Sequence, residues 1–322
     1  MLVANRGLEL KARNQVSGPQ DHAGGGQEPA PRRCIRLRAP LTFILSSALL
    51  MVSAAAQNAP AATFTLPSGA EALEGPEQLE AGYHTFAFQN DSDTPVEIQL
   101  VRLKGDATVE ASLAASRRVD EIAATGGDIS AAFRRVNELI DFWGGANVGA
   151  GATARVGIPL ESGSYSLSVA SAGDAEEDIH RVDLVQTLEV TGGAGEPDSS
   201  ADLTVEMVDF AFTLPENAAG GTQTWEFINR GEQTHHAVIQ KVKPGKTLED
   251  VMAFARTFEG EDPTEEFAYV HLLSPGSSNF VTLDLTPGTY ILLCFLPDYA
   301  PGGDGAPHLA HGMMQAVTVT GE

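Results

Sequence analysis

The chain has 322 residues, 43% of them apolar and 20% charged, and its 43 Asp and Glu against 20 Lys and Arg give a net charge of -23. That apolar share excludes a wholly disordered chain, and two cysteines exclude a disulfide scaffold. So acidic a surface repels phosphate backbones and excludes nucleic acid as a partner, while the length suggests two domains.

The first recognisable element is a targeting segment. Residues 32–38, RRCIRLR, are basic, and residues 41–53, LTFILSSALLMVS, form an apolar run too short to span a bilayer. Ala54-Ala55-Ala56 then offers a small-residue cleavage site before Gln57. Residues 1–56 are expected to be an export signal with an N-terminal extension, cleaved after Ala56. The remainder is expected to be periplasmic or secreted, with no membrane span. Export leaves Cys294 alone in an oxidising compartment, where an unpaired thiol is either buried or bound to a metal.

The remainder repeats itself. GYHTFAFQNDSDTPVEIQLVRL (82–103) aligns without a gap to GTQTWEFINRGEQTHHAVIQKV (221–242), VGIPLESGSY (156–165) to VTLDLTPGTY (281–290), and VQTLEVTG (185–192) to MQAVTVTG (314–321). The repeat is a whole domain: 57–192, then a Gly/Pro/Ser/Asp-rich linker at 193–202, then 203–322. TFAFQN, TWEFIN, EIQLVRL, RVGIPL and FVTLDL alternate at period two, as half-buried strands do. PGTYILLCF is a continuous apolar run, as expected of a strand buried on both faces. Each unit also carries a predicted helical insertion. In the second, Thr247 caps a stripe of Leu248, Val251, Met252, Ala255 and Phe258. In the first, Asp128 precedes Phe133, Val136, Ile140 and Trp143 at helical spacing. These stripes are expected to pack across a sandwich end, and the fold class is all-β, two tandem β-sandwiches.

One constellation carries chemistry. Cys294 ends a strand, His308 and His311 lie in the following loop, and Met313 and Met314 open the last strand. The pair His235-His236 begins an earlier strand. One thiolate, two imidazoles and a thioether form the ligand set of a blue copper site, because soft sulfur suits Cu(I) and imidazole suits both oxidation states. The first unit has Val96 and Glu97 at the His-His positions and Val169 at the cysteine position, and His84 and His180 are read as lone surface or packing residues.

With those residues in view, the second unit resembles the cupredoxins, the plastocyanin-like small blue copper proteins. The first unit reaches that resemblance only through the repeat. An Asn-containing turn (Asn229 to Thr234) leads to a first His, a Cys ends a later strand, and PHLAHGM is similar to the family's His-x4-Met ending. The resemblance implies a cupredoxin-like Greek-key sandwich, with His235, Cys294 and His308 as equatorial ligands of one type 1 copper and Met313 as the axial ligand. His236, His311 and Met314 compete for these places. His235 is preferred by its place at the end of the turn, and His311 lies too close to Met313 for both to bind. The Cys294–His308 interval is longer than the family's.

The resulting expectation is an exported electron carrier that passes single electrons to a redox partner, a basic one being favoured by the acidic surface. His308 is the expected exit near the surface, flanked by Leu309 and Ala310. Asn229 is expected to tie the first-His turn to the Cys294 loop, and His271 is read as a strand-edge residue. The alternative is a metal-free binding module in which Cys294 is simply a buried small apolar residue. With no His-x-His pair for further copper ions, the chain is not expected to be an enzyme.

Overall fold

The computed structural model describes residues 61–69, 72–171, 182–192, 201–257 and 259–321. The expected export signal and cleavage site, His180, Phe258 and residues 193–200 of the expected linker lie outside the described residues. The first half contains β1 (Ala61–Leu66), β2 (Gln78–Glu80), β3 (Gly82–Asn90) and β4 (Val96–Leu103). The helices α1 (Val109–Ala124) and α2 (Ser130–Leu139) follow, then β5 (Ile140–Val148), β6 (Thr153–Leu160), β7 (Gly163–Ser171) and β8 (Val182–Thr191). The second half contains β9 (Leu203–Val208), β10 (Ala211–Thr213), β11 (Asn217–Ala219), β12 (Gly221–Asn229) and β13 (His235–Val242). It ends with α3 (Leu248–Thr257), β14 (Thr264–Leu273), β15 (Ser278–Leu285), β16 (Gly288–Leu293) and β17 (Met314–Thr320).

Two sheets stack over the whole described chain. One runs β1-β3-β6-β15-β12-β9-β10, the other β11-β17-β16-β13-β14-β5-β4-β7-β8-β2. Read outward from the seams β6–β15 and β5–β14, the two halves use corresponding strands in the same order. β3 and β12 each pair antiparallel with the strand at the seam and parallel with the first strand of their half. Each half is therefore a β-sandwich, and the same edge strands of both meet antiparallel, as a pseudo-twofold requires.

The alternation in the sequence becomes the two faces of each strand. In β12 Trp225, Phe227 and Asn229 are buried while intervening residues are less so. Phe64, Phe86 and Phe88 stack within 6.0 Å of one another in the first core. Trp225, Phe227, Ile239, Tyr290 and Leu292 fill the second. At the seam Phe142 N–H donates to Ser274 Oγ (2.9 Å), Phe142 O accepts from Ser274 N–H (2.9 Å), and Asn279 Nδ2 donates to Trp143 O (3.1 Å). Gly144 has φ +94° with the Asn279 side chain directly above it, so only a residue without Cβ fits there.

The helices depart from the sequence reading. The first unit has two, not one, and Thr108 caps α1 through the amide of Ala111 (3.2 Å). Ile140 and Trp143, read as part of a helical stripe, lie in β5, because α2 runs straight into that strand. Phe133 and Val136 of α2 join the core of the second sandwich instead of closing their own. In α3 the cap is as expected, with Thr247 and Asp250 bonding reciprocally. Of its stripe Val251 is buried, but Leu248 and Met252 are exposed.

Asn229 and Asn90 occupy corresponding places and do the same work. Asn229 Nδ2 donates to Gln233 O and Leu273 O (both 2.7 Å), and its Oδ1 accepts from Gly231 N–H (2.8 Å). Asn90 Nδ2 donates to Thr94 O (2.8 Å) and Val148 O (3.2 Å), and its Oδ1 accepts from Ser92 N–H (3.0 Å). Asn229 thus ties its turn to β14, not to the Cys294 loop as expected from sequence. Asn229→Ala should lower stability by about 2–4 kcal/mol, since it leaves buried carbonyls unpaired. A denaturant midpoint unchanged from wild type would contradict this.

Candidate metal centre

Three side chains from three segments meet at the end of the second sandwich. The Asn229 turn delivers His235 to the start of β13. β16 delivers Cys294, whose N–H donates to Met313 O (3.3 Å). The loop after Cys294 returns by a bridge between Pro297 and Pro307, so that His308 N–H donates to Leu296 O (2.7 Å) and Leu309 N–H to Cys294 O (2.8 Å). A 3-10 turn over His308–His311 ends at Gly312, whose φ of 102° is one that side chains rarely adopt. Met313 N–H then closes back on His308 O (3.0 Å).

The donor atoms are His235 Nδ1, His308 Nδ1 and Cys294 Sγ, and all three residues are fully buried. The nitrogens are 3.0 Å apart, and the sulfur lies 3.5 Å from His308 and 4.0 Å from His235. The point equidistant from the corners of that triangle is about 2.1 Å from each, within the roughly 2.0–2.3 Å of metal–imidazole and metal–thiolate bonds. The residues present therefore fit a trigonal His₂Cys metal.

His235 is oriented by a residue the sequence reading missed. Its Nε2–H donates to Asp209 Oδ1 (2.6 Å), which leaves Nδ1 as the unprotonated nitrogen, facing His308 Nδ1 (3.0 Å) and the Cys294 sulfur (4.0 Å). Asp209 also accepts from Glu232 N–H (2.9 Å) and Gln233 N–H (3.3 Å). Partial burial works against its charge, but the bonds from His235 and these amides prevail and hold its carboxyl below the usual range. No motif announces Asp209, which comes from the short connection between β9 and β10, far from His235 in the chain. Gly231 is needed beside it, because a Cβ would collide with Asp209 and His235.

The other candidates separate clearly. Met313 is fully buried, with its backbone joined to both Cys294 and His308. Met314 is only half-buried, at the first position of β17. His236 points away from the cluster: its Nδ1 pairs with Tyr269 OH (2.9 Å) and its Nε2 accepts from Phe295 N–H (2.9 Å). His311 bonds Asp304 (3.1 Å) and lies with Asp298 and Asp304 in a separate, mostly exposed group.

Two placements differ from expectation. His308 is not at the surface; Phe210 (4.8 Å between rings) covers it and His311 stacks on Phe210 (4.7 Å). His271 is no edge residue, because β14 is paired on both sides; its Nδ1 lies 3.7 Å from Glu97 Oε1 across the seam. His84, read as a surface or packing residue, is buried and contacts Glu80 O (2.8 Å).

No protein-family profile matches the chain, and no curated protein does. Among solved structures, the chain is similar to reduced auracyanin from the photosynthetic bacterium Roseiflexus castenholzii, at 25% identity over 36% of this chain and 94% of that one, with a TM-score of 0.25. It is also similar to a Cu-containing nitrite reductase from Thermus scotoductus SA-01 (11% identity, 81% and 60%, TM-score 0.22) and to a blue copper oxidase from Nitrosomonas europaea (11%, 80% and 85%, TM-score 0.22). The fold is cupredoxin-like. The likenesses do correct one expectation. The chains similar over four fifths of this one are, by name, enzymes, and a histidine count does not separate a carrier from an enzyme, so the exclusion of an enzyme is withdrawn. Among the described residues no helix is long and apolar enough to cross a membrane.

Burial pushes the Cys294 thiol up to about 12. Burial, reinforced by neighbouring imidazoles, pushes His236 down to about 3 and His308 to about 2, which keeps both rings neutral. Such a group takes its proton first in the unfolded chain. Its contribution to stability is therefore complete above pH 6.5 and is lost as pH falls toward about 3. In metal-free protein, His236→Asn should flatten the fall of the denaturation midpoint across that window. An unchanged slope would count against a neutral, buried His236.

Proposed function

We propose that the second sandwich holds one copper ion in a type 1 site and exchanges single electrons through it. His235, Cys294 and His308 would be the equatorial ligands and Met313 the axial one. The observation that carries this reading is the His₂Cys triangle, whose centre lies at bonding distance from all three donors. Copper, when bound there, supplies a one-electron couple suited to this mix of thiolate, imidazole and thioether.

The chain's own residues perform the remaining tasks. Asp209 fixes the His235 tautomer, so its lone pair needs no reorientation. Burial of all three donors excludes water, and the bonds linking Cys294 to Met313 and Leu309 keep the sulfur in place through a change of charge. Electrons would cross the face where Phe210 covers His308, beside half-buried Leu309 and exposed Ala310. The acidic composition favours a basic redox partner there. We read residues 57–192 and 203–322 as tandem copies joined by 193–202. Removal of the export signal after Ala56 would place them in the periplasm or outside the cell.

Adding Cu(II) to the export-processed chain should produce an intense thiolate-to-copper band at about 600 nm. Cys294→Ser should abolish it, while His311→Ala and Met314→Leu should retain it. A colourless wild-type protein with a titratable thiol would leave the metal-free alternative in its place. Asp209→Ala should weaken copper binding by about 10- to 100-fold, as loss of a bond that orients a ligand does. Affinity equal to wild type by competition with a chelator would remove Asp209 from the site.

A further inference from the structure

We infer that α2 of the first sandwich is a brace that sets the geometry of the centre in the second, a role that rests on the copper reading only for its spectroscopic consequence. One helix touches both segments that carry the histidines. Asn137 Oδ1 accepts from Thr234 Oγ1, immediately before His235, and lies 3.3 Å from Tyr299 OH, in the loop leading to His308. Tyr299 OH also accepts from Thr234 N–H (2.7 Å), so the two segments and the helix close on one another.

The adjoining turn of α2 holds the same loop. Arg134 Nε donates to Tyr299 O (2.8 Å) and its Nη2 to Ala300 O (3.3 Å). The Phe133 and Tyr299 rings meet edge to face at 5.2 Å. Further along the loop, a Cβ on Gly305 would strike Ser130 Oγ and the Asp128 carboxylate at the start of the helix. Within the second unit Gln233 reinforces the clasp, its Nε2 donating to Asp298 Oδ1 (3.0 Å) and its Oε1 accepting from Tyr299 N–H (2.9 Å).

The 13 residues between Cys294 and His308 give this loop the length to reach the neighbouring sandwich. Asn137 is suited to its place because its Nδ2 is already given to Phe133 O (2.9 Å), which presents Oδ1 as the acceptor for both hydroxyls. Asn137 and Arg134 touch none of the three donors. They are positioning residues, acting through Thr234 and Tyr299.

The test uses the full chain with Asn137→Leu, Asn137→Asp, Arg134→Ala and, as control, Arg135→Ala on the exposed side of the same helix. In metal-free protein, Cys294 should react with a thiol reagent about tenfold faster in Asn137→Leu, because the loop that buries it opens more often. Asn137→Asp keeps the acceptor oxygen and should restore the slow rate, and Arg135→Ala should match wild type. In copper-loaded protein the charge-transfer band and the reduction potential should shift in Asn137→Leu and not in Asn137→Asp. If Asn137→Leu fails to fold, Arg134→Ala, which removes only two bonds to loop carbonyls, should raise the thiol rate in the same direction. Wild-type thiol rate and band in a folded Asn137→Leu protein, or an equal effect from Arg135→Ala, would overturn the brace. Absence of any copper band in wild type would defeat the copper reading and leave the thiol rates to decide the brace.

Discussion

Two imidazole nitrogens and a sulfur are held 3.0 to 4.0 Å apart inside a closed apolar core, and the surrounding structure is arranged to meet that demand. Each donor has given up water, which is costly for a polar group unless something replaces it. Asp209 takes the outer nitrogen of His235. The outer nitrogen of His308, Nε2, is buried without a hydrogen-bond partner. Leu309 N–H on Cys294 O, His308 N–H on Leu296 O and Met313 N–H on His308 O form a short ladder that ties the Cys294 and His308 segments together. The space beside Gly231 follows from the same crowding, whereas Gly312 supplies the positive φ that ends the 3-10 turn.

The first sandwich shows that the fold itself does not require these donors. Asn90 holds its turn as Asn229 does, yet Val96 and Val169 pack apolar side chains where the second sandwich has His235 and Cys294. The same strand order closes around either filling. What the first sandwich keeps is the edge that meets its partner, through β5 and β6, and a helical insertion that reaches over the partner's core. The pseudo-twofold makes this economical, since one edge geometry serves both halves.

Much of this was legible in the chain. Period-two alternation located β3, β4, β6, β12 and β15, and the internal alignment set β3 and β4 against β12 and β13, and β6 against β15. The His-His, Cys and His-x4-Met spacing named the three residues that converge. Other positions misled for physical reasons. Ile140 and Trp143 continue a helical spacing from Phe133 but lie in a strand, because the chain enters the ladder with β4 at Ile140, as soon as α2 ends. Histidine exposure was misjudged at His308 and His271, since whether a ring meets solvent depends on what covers it, Phe210 in one case and Glu97 across the seam in the other.

The sequence by itself determined the alternating strands, the two-sandwich class and the donor types, because alternation, turn residues and the softness of sulfur and imidazole are local properties. Only the tertiary structure decided that Asp209 orients His235, that His236 faces Tyr269 and not the cluster, and that a helix of one sandwich clasps the ligand loops of the other. Those are distances between residues remote along the chain. They are fixed by sheet register and by which edges meet, which no single segment encodes.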